Sequence, residues 1–129
     1  MTERRYALGL GCERGSAPQE VLGLAQRVLR DAGVGAADLT GVYSIDQRQL
    51  EPAIVFTADN LGLPLRCFSP AELEEQTPRL LNPSERVFAL VGCHGVAEAA
   101  ALVAVGQDGI LVVGKTKSAH ATAALAAKR

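Results

Sequence analysis

The patterning of the chain predicts an α/β domain, a three-layer α/β/α sandwich whose mostly parallel, mixed central sheet ends in a hairpin. Three observations carry that expectation. Short apolar runs at Tyr6–Leu10, Gly41–Asp46 and Leu65–Phe68 alternate with stretches of helical periodicity, the order of βαβ units with right-handed crossovers. Glycine and proline punctuate the joints between them. Near the end, Lys115-Thr-Lys-Ser118 is too short for a crossover, so the last two strands are expected to be antiparallel.

Taken in order, Tyr6-Ala-Leu-Gly-Leu10 is a buried strand that feeds a tight loop through Gly9, Gly11 and Gly15. Ser16 stands three residues before Gln19, the spacing of a capping box, and Pro18 suits the first turn of the helix that follows. Val21, Leu24, Ala25, Val28, Leu29 and Ala32 share one face of that helix, and Gly33 ends it. Gly41–Asp46 is the next strand, parallel to the first. Pro52 opens a second helix with Ile54, Ala58 and Leu61 on one face, closed by Gly62 and Pro64. After the short strand Leu65–Phe68, Ser69, Pro70 and Glu72 take the N-cap, first and third positions of another capping box. Glu74 to Asn82 reads as a polar surface excursion.

Asn82-Pro83-Ser84-Glu85 restarts a helix whose inner face takes Val87, Leu90 and Val91, although Val87–Val91 alone also suits a strand. Val96 to Val105 is apolar almost all round except for Glu98, as in a helix buried on more than one side. Gly109–Val113 is a strand. Ala119–Ala127 is long enough for a strand or a helix, and the hairpin argument selects the strand.

The 129 residues, 48% hydrophobic and 21% charged, make one domain. A domain near this size hides about 70% of its extended surface, which excludes disorder and a disulfide-dense scaffold. A net charge of -1 excludes a globally basic protein held to nucleic acid by counterion release. All fourteen acids nevertheless lie at or before Asp108, so residues 109–129 carry Lys115, Lys117, Lys128, Arg129 and His120 with no carboxylate side chain. A solvated end accounts for Lys128 and Arg129. Lys115 and Lys117 follow an apolar strand and call for another reason. The start, Met-Thr-Glu-Arg-Arg-Tyr, has no signal-peptide core, and no run of 18 apolar residues exists, so the expectation is a cytoplasmic protein without a membrane partner. Cys12, Cys67 and Cys93 show no Cys-x-x-Cys spacing, which points to reduced thiols and no metal site.

The loop Gly9-Leu-Gly-Cys-Glu-Arg-Gly15 follows the first strand and opens a helix, the place where α/β domains keep their ligands. Arg14 stands where a dinucleotide fingerprint needs glycine, and no phosphate-binding Gly-x-x-x-x-Gly-Lys-Ser/Thr occurs. The spacing leaves three readings open: a plain tight turn, an anion-binding loop with Arg14, and a reactive Cys12. Glu98, a charge in an apolar helix, either compensates the helix dipole or acts as a general base near the Gly95 turn. Ser44 and Asp46 end the second strand on the same rim. Lys115 and Lys117, two residues apart, project to one strand face together, a spacing that suits a polycarboxylate and equally protects an edge strand. Ser118 and Thr122 flank them.

Four segments occur in one order: Gly9-Leu-Gly-Cys-Glu-Arg-Gly15, Leu61-Gly-Leu-Pro-Leu-Arg-Cys-Phe-Ser69 with Ala71-Glu72-Leu73, Gly95-Val-Ala-Glu-Ala-Ala-Ala-Leu102, and Lys115-Thr-Lys-Ser118. Together they resemble the CobE family, itself similar to the C-terminal domain of CbiG, the cobalt-precorrin-5A hydrolase of the anaerobic cobalamin pathway. The resemblance implies that residues 1–129 form a single domain of that kind, with a role in corrin-ring construction in the aerobic route. It does not extend to the other regions of CbiG, so its lactone-opening activity is not carried over, and whether the chain is an enzyme stays open. The implied ligand is a corrin or precorrin intermediate, a flat macrocycle edged with carboxylates, with no separate cofactor. Gly11, Arg14, Gly15, Ser44, Gly95, Lys115, Lys117, Ser118 and Thr122 are the candidate ligand contacts, and Glu98 and Cys12 the candidate catalytic groups. Two other classes compete: a lactone or acyl hydrolase using Glu98 or Cys12, and an interaction domain that docks on other cobalamin-pathway enzymes.

Overall fold

A computed structural model describes residues 4–129. Its sheet contains β1 (Tyr6–Cys12), β2 (Leu39–Ile45), β3 (Leu65–Phe68), β4 (Ile110–Lys117) and β5 (Ala121–Ala127) in the spatial order β3-β2-β1-β5-β4. The pairs β1–β2 and β2–β3 are parallel, and β5 runs antiparallel to both β1 and β4. Only β5 therefore runs against the others. The last hairpin forms as expected, but it enters the sheet through its second strand and leaves β4 at the edge. Among the described residues no helix is long and apolar enough to cross a membrane.

Two helical layers cover the sheet. On one face α1 (Pro18–Ala32) and α2 (Pro52–Leu61) bury Val21, Leu24, Val28 and Ile54 against Leu8, Leu10, Val42, Ala123 and Leu125. Each fully buried Val, Leu or Ile contributes about 1.5–3 kcal/mol. On the other face α5 (Ala97–Val105) lies over β1 so closely that a Cβ on Gly9 would sit 1.9 Å from the Ala97 carbonyl oxygen. The alternating residues of β5 on this side are Ala124 and Ala126. The short α3 (Pro70–Glu74) and α4 (Glu85–Val91) complete this layer, with Ile45, Phe68, Leu73, Cys93, Ala99 and Ala100 forming a second core.

Several local expectations change. Gly9 and Gly11 are strand residues, not loop residues: they are small because α5 needs the space. The loop is confined to the stretch after Cys12, where Gly15 adopts φ 75°. Ser16 caps nothing; the N-cap is Ala17, and the Ser16 hydroxyl donates to the Glu13 carbonyl at 2.6 Å. The capping box at Ser69 and Glu72 forms as read, with proline as the first residue of α1, α2 and α3. The strand after Gly109 runs on to Lys117, so both lysines lie within β4. Residues 85–91 are helical, with Val91 packed against the second core and Val87 half-buried as expected, but Leu90 is 71% exposed and does not share that inner face.

Candidate functional site

The four like-directed strands end at one edge of the sheet, beside the start of α5. Glu98, in the first turn of α5, organises this region. Only 2% exposed, its carboxylate accepts from the Leu81 and Asn82 backbone N–H groups (both 3.0 Å), the Asn82 side-chain amide (2.8 Å) and the Lys115 N–H (2.8 Å). The register of β4 against β5 shifts between Val113 and Thr116, which turns the Lys115 N–H toward the helix instead of leaving it in the ladder. Gly114 makes room, because a Cβ there would stand 3.2 Å from the same carboxylate. With four donors on its two oxygens, Glu98 acts as a clasp joining α5, the 81–82 loop and β4. It has no oxygen left over for a substrate proton.

The clasp sets out the lysines. The Lys115 ammonium donates to the Asn82 carbonyl at 3.1 Å, and burial followed by the nearby charge of Lys117 pulls its pKa down, against the opposing pull of Glu98. Lys117 pairs across the hairpin with Thr122, which faces Gly11 and Val96. Gly95 touches Leu80. Gly11, Gly95, Glu98, Lys115, Lys117 and Thr122 are thus gathered on the α5 side of the strand ends. Leu81, 65% exposed, lies against Gly114 and gives this surface an apolar part.

Arg14, Gly15 and Ser118 lie on the α1 side. Arg14 and Gly15 line a shallow depression with Ser16, Glu20 and His120, and neither lysine contributes to it. The Gly15 N–H donates to Glu51 at 3.1 Å, so a protein carboxylate already takes the anion position of this loop. Ser118 spends its hydroxyl on Glu20, whose pKa falls to about 2 under that bond and those from the His120 ring and N–H. The sites expected to converge around Arg14, Lys115 and Lys117 are therefore two, on either side of the β4–β5 turn.

Ser44 is fully buried, and its hydroxyl donates to the Leu10 carbonyl at 2.6 Å, which ties β2 to β1 and removes it from any surface. Cys12 closes β1 short of the helix N-terminus. Burial pushes its thiol pKa up, only partly offset by a hydrogen bond with Ser16, the opposite of what a thiolate nucleophile needs. His94 bridges two helices: Nδ1 lies 2.9 Å from Glu74, Nε2 lies 3.4 Å from Glu85, and the ring stacks on Phe88 at 4.4 Å. Asn82, Glu20 and His120 were not among the candidate site residues of the sequence reading. Their partners stand 16 to 100 positions away in the chain, and no local pattern announces such pairs.

Comparison with known proteins now bears on this geometry. The family model for the cobalamin synthesis G C-terminus matches residues 6–126. The protein CobE of Sinorhizobium sp is 55% identical over 119 residues, covering 92% of this chain and 77% of that protein. A cobalt-precorrin-5A hydrolase of Priestia megaterium is 28% identical over 120 residues, which are 93% of this chain but 31% of the hydrolase. The crystal structure of a CobE from the cobalamin (vitamin B12) biosynthetic pathway superposes with a TM-score of 0.88 at 34% identity, covering 96% of this chain and 90% of the other.

Proposed function

The chain belongs to the CobE family, built on the CbiG C-terminal domain, and is a cobalamin biosynthesis protein; from that membership we propose that it binds a corrin or precorrin intermediate at the strand ends beside α5. The observation that carries this reading is the Glu98 clasp, which fixes Lys115 next to exposed Leu81, with Lys117 two residues further along the same strand. Corrin precursors combine a flat apolar face with acetate and propionate arms. Two ammonium groups on one strand face suit two such arms, and Leu81 suits the ring. Binding and presentation fit better than hydrolysis, because Glu98 is saturated by donors and the Cys12 thiol is held protonated.

Titration with hydrogenobyrinic acid, a metal-free corrin, tests the reading. The expected result is a shift of the visible bands with co-elution, weakened about tenfold or more in Lys115→Gln/Lys117→Gln. No shift and no co-elution would remove it. Exposed Leu90 on the outer side of α4 favours a second reading, docking on another cobalamin-pathway enzyme. That reading requires Leu90→Ser to abolish co-elution with the partner enzyme while corrin binding persists.

A further inference from the structure

Arg48 ends the short helical turn Asp46–Arg48 that follows β2, and its Nε donates to the carbonyl of Cys12, the last residue of β1, at 2.8 Å. The side chain is half-buried there. Its Nη1 reaches only the Gln47 carbonyl, at 3.5 Å, and among the described residues no group accepts from Nη2. The ion pairs among those residues all use a histidine, so no carboxylate answers the charge of Arg48. Glu51, the buried acid of the same connection, accepts from the Gly15 N–H instead. A guanidinium oriented by carbonyls and left without a counter-charge keeps its outer donors open for an anion. Arg79 differs, since it donates to Gln76, Gly106 and Gly109 and is spent on holding the end of α5.

Sheet order sets Arg48 opposite the two lysines. Because β2, β1, β5 and β4 are successive neighbours, Arg48 at the end of β2 and the lysines on β4 stand three strand intervals apart, about 14 Å across the sheet. The ground between them is low. Gly11 carries no side chain there, and a Cβ on it would lie 2.9 Å from the Thr122 hydroxyl and 3.3 Å from the Val96 Cβ. We infer that Arg48 is a second anchor of the strand-end site, taking a carboxylate arm on the edge of a corrin ring opposite the arms held by Lys115 and Lys117. This rests on the corrin-binding reading and deepens it by naming the ligand class: a macrocycle with free carboxylates on opposite edges. Such a ring spans the two anchors. A compact polycarboxylate such as citrate holds its carboxylates within a few bonds of one another and reaches only one.

The test titrates the intact protein with hydrogenobyrinic acid and with its fully methyl-esterified form, the same ring without charged arms. Arg48→Gln should weaken binding of the acid about tenfold and leave binding of the ester unchanged. Its loss should add to that of Lys115→Gln/Lys117→Gln, because the two anchors do not touch. Arg48→Lys, which keeps the charge, should recover most of the affinity. A measurement on the unmutated chain covers the case in which Arg48→Gln misfolds by circular dichroism. Phenylglyoxal modification of Arg48, followed by peptide mass spectrometry, should slow when the acid is bound and proceed unchanged in citrate. Full affinity for the acid in a folded Arg48→Gln would overturn the inference and leave the corrin reading standing. Equal losses for acid and ester, the mark of a structural role, would overturn it as well, and so would modification that the acid does not slow. Failure of the acid to bind the unmutated protein would remove the corrin reading itself, and this anchor with it.

Discussion

Gly9→Ala adds one methyl group where β1 and α5 leave no space for it. The new Cβ would lie 1.9 Å from the Ala97 oxygen, 2.9 Å from the Ala97 carbonyl carbon and 3.0 Å from the Ala101 nitrogen. All three are backbone atoms, so no side chain can swing aside. Restoring ordinary contact requires α5 to retreat by about 1.5 Å, which opens a gap above its buried alanines and strains the Glu98 clasp at its first turn. The cost should reach the upper end of the overpacking range, about 3 kcal/mol. For a domain of this size that lowers Tm by roughly 12 °C. Urea titration followed by circular dichroism measures it directly. The control is Gly23→Ala on the exposed side of α1, where a Cβ meets nothing within 4 Å and helix propensity should stabilise by roughly 0.5–1 kcal/mol. If Gly9→Ala loses less than about 1 kcal/mol, the close α5–β1 packing described above is wrong.

Glu98→Gln turns part of an acceptor-only carboxylate into a donor facing N–H groups, and should cost about 3 kcal/mol in chemical denaturation, with the Lys115 and Asn82 amide protons losing hydrogen-exchange protection. Ser69→Ala removes the side-chain acceptor of the α3 capping box and should cost about 1 kcal/mol, read from the denaturation midpoint at unchanged m-value. The His94–Glu74 pair gives a pH signature. Its partner Glu74 raises the His94 pKa above 6.5, and that contribution is complete below 6.5 and lost as pH rises through the folded value. Glu74, lowered from 4.5 chiefly by His94, contributes above 4.5 and loses its effect as pH falls through its own folded value. The pair should therefore stabilise most between 4.5 and 6.5. Proton NMR of the His94 ring should show a midpoint above 6.5 that returns toward 6.5 in Glu74→Gln.

Most of the fold was legible because its signals are local. Helix periodicity, proline at the first turn, glycine after the last and the Ser69 capping box each act within a few residues, and the five strands lie where the apolar runs are. Legibility ended where distant segments determine a residue's role. Gly9 and Gly11 look like loop formers until α5, some ninety residues later, is seen resting on them. Leu90 was expected to share a helical face with Val87 and Val91, but only Val91 packs on the core and Leu90 turns out to solvent. The candidate site divided similarly. Lys115 and Lys117 were found through charge asymmetry and strand alternation, and Glu98 through its apolar setting. The separation of Arg14 from the lysines follows from β5 inserting between β1 and β4, a matter of sheet order that neither composition nor spacing encodes.

That insertion also governs how the molecule comes into being. β5, at the very end of the described chain, is an interior strand joined to β1 at its beginning, with Tyr6 opposite Ala127 and Cys12 opposite Ala121. During synthesis the first three strands and their helices emerge with the β5 edge of β1 unpaired. The domain cannot close until β5 pairs with β1, a contact of high sequence separation that raises contact order and slows the last step of folding. Removing residues 121–127 would split the sheet between β1 and β4 instead of trimming its margin. β5 is thus the keystone for β1, and it carries Thr122 and the turn with His120 into place as it seats.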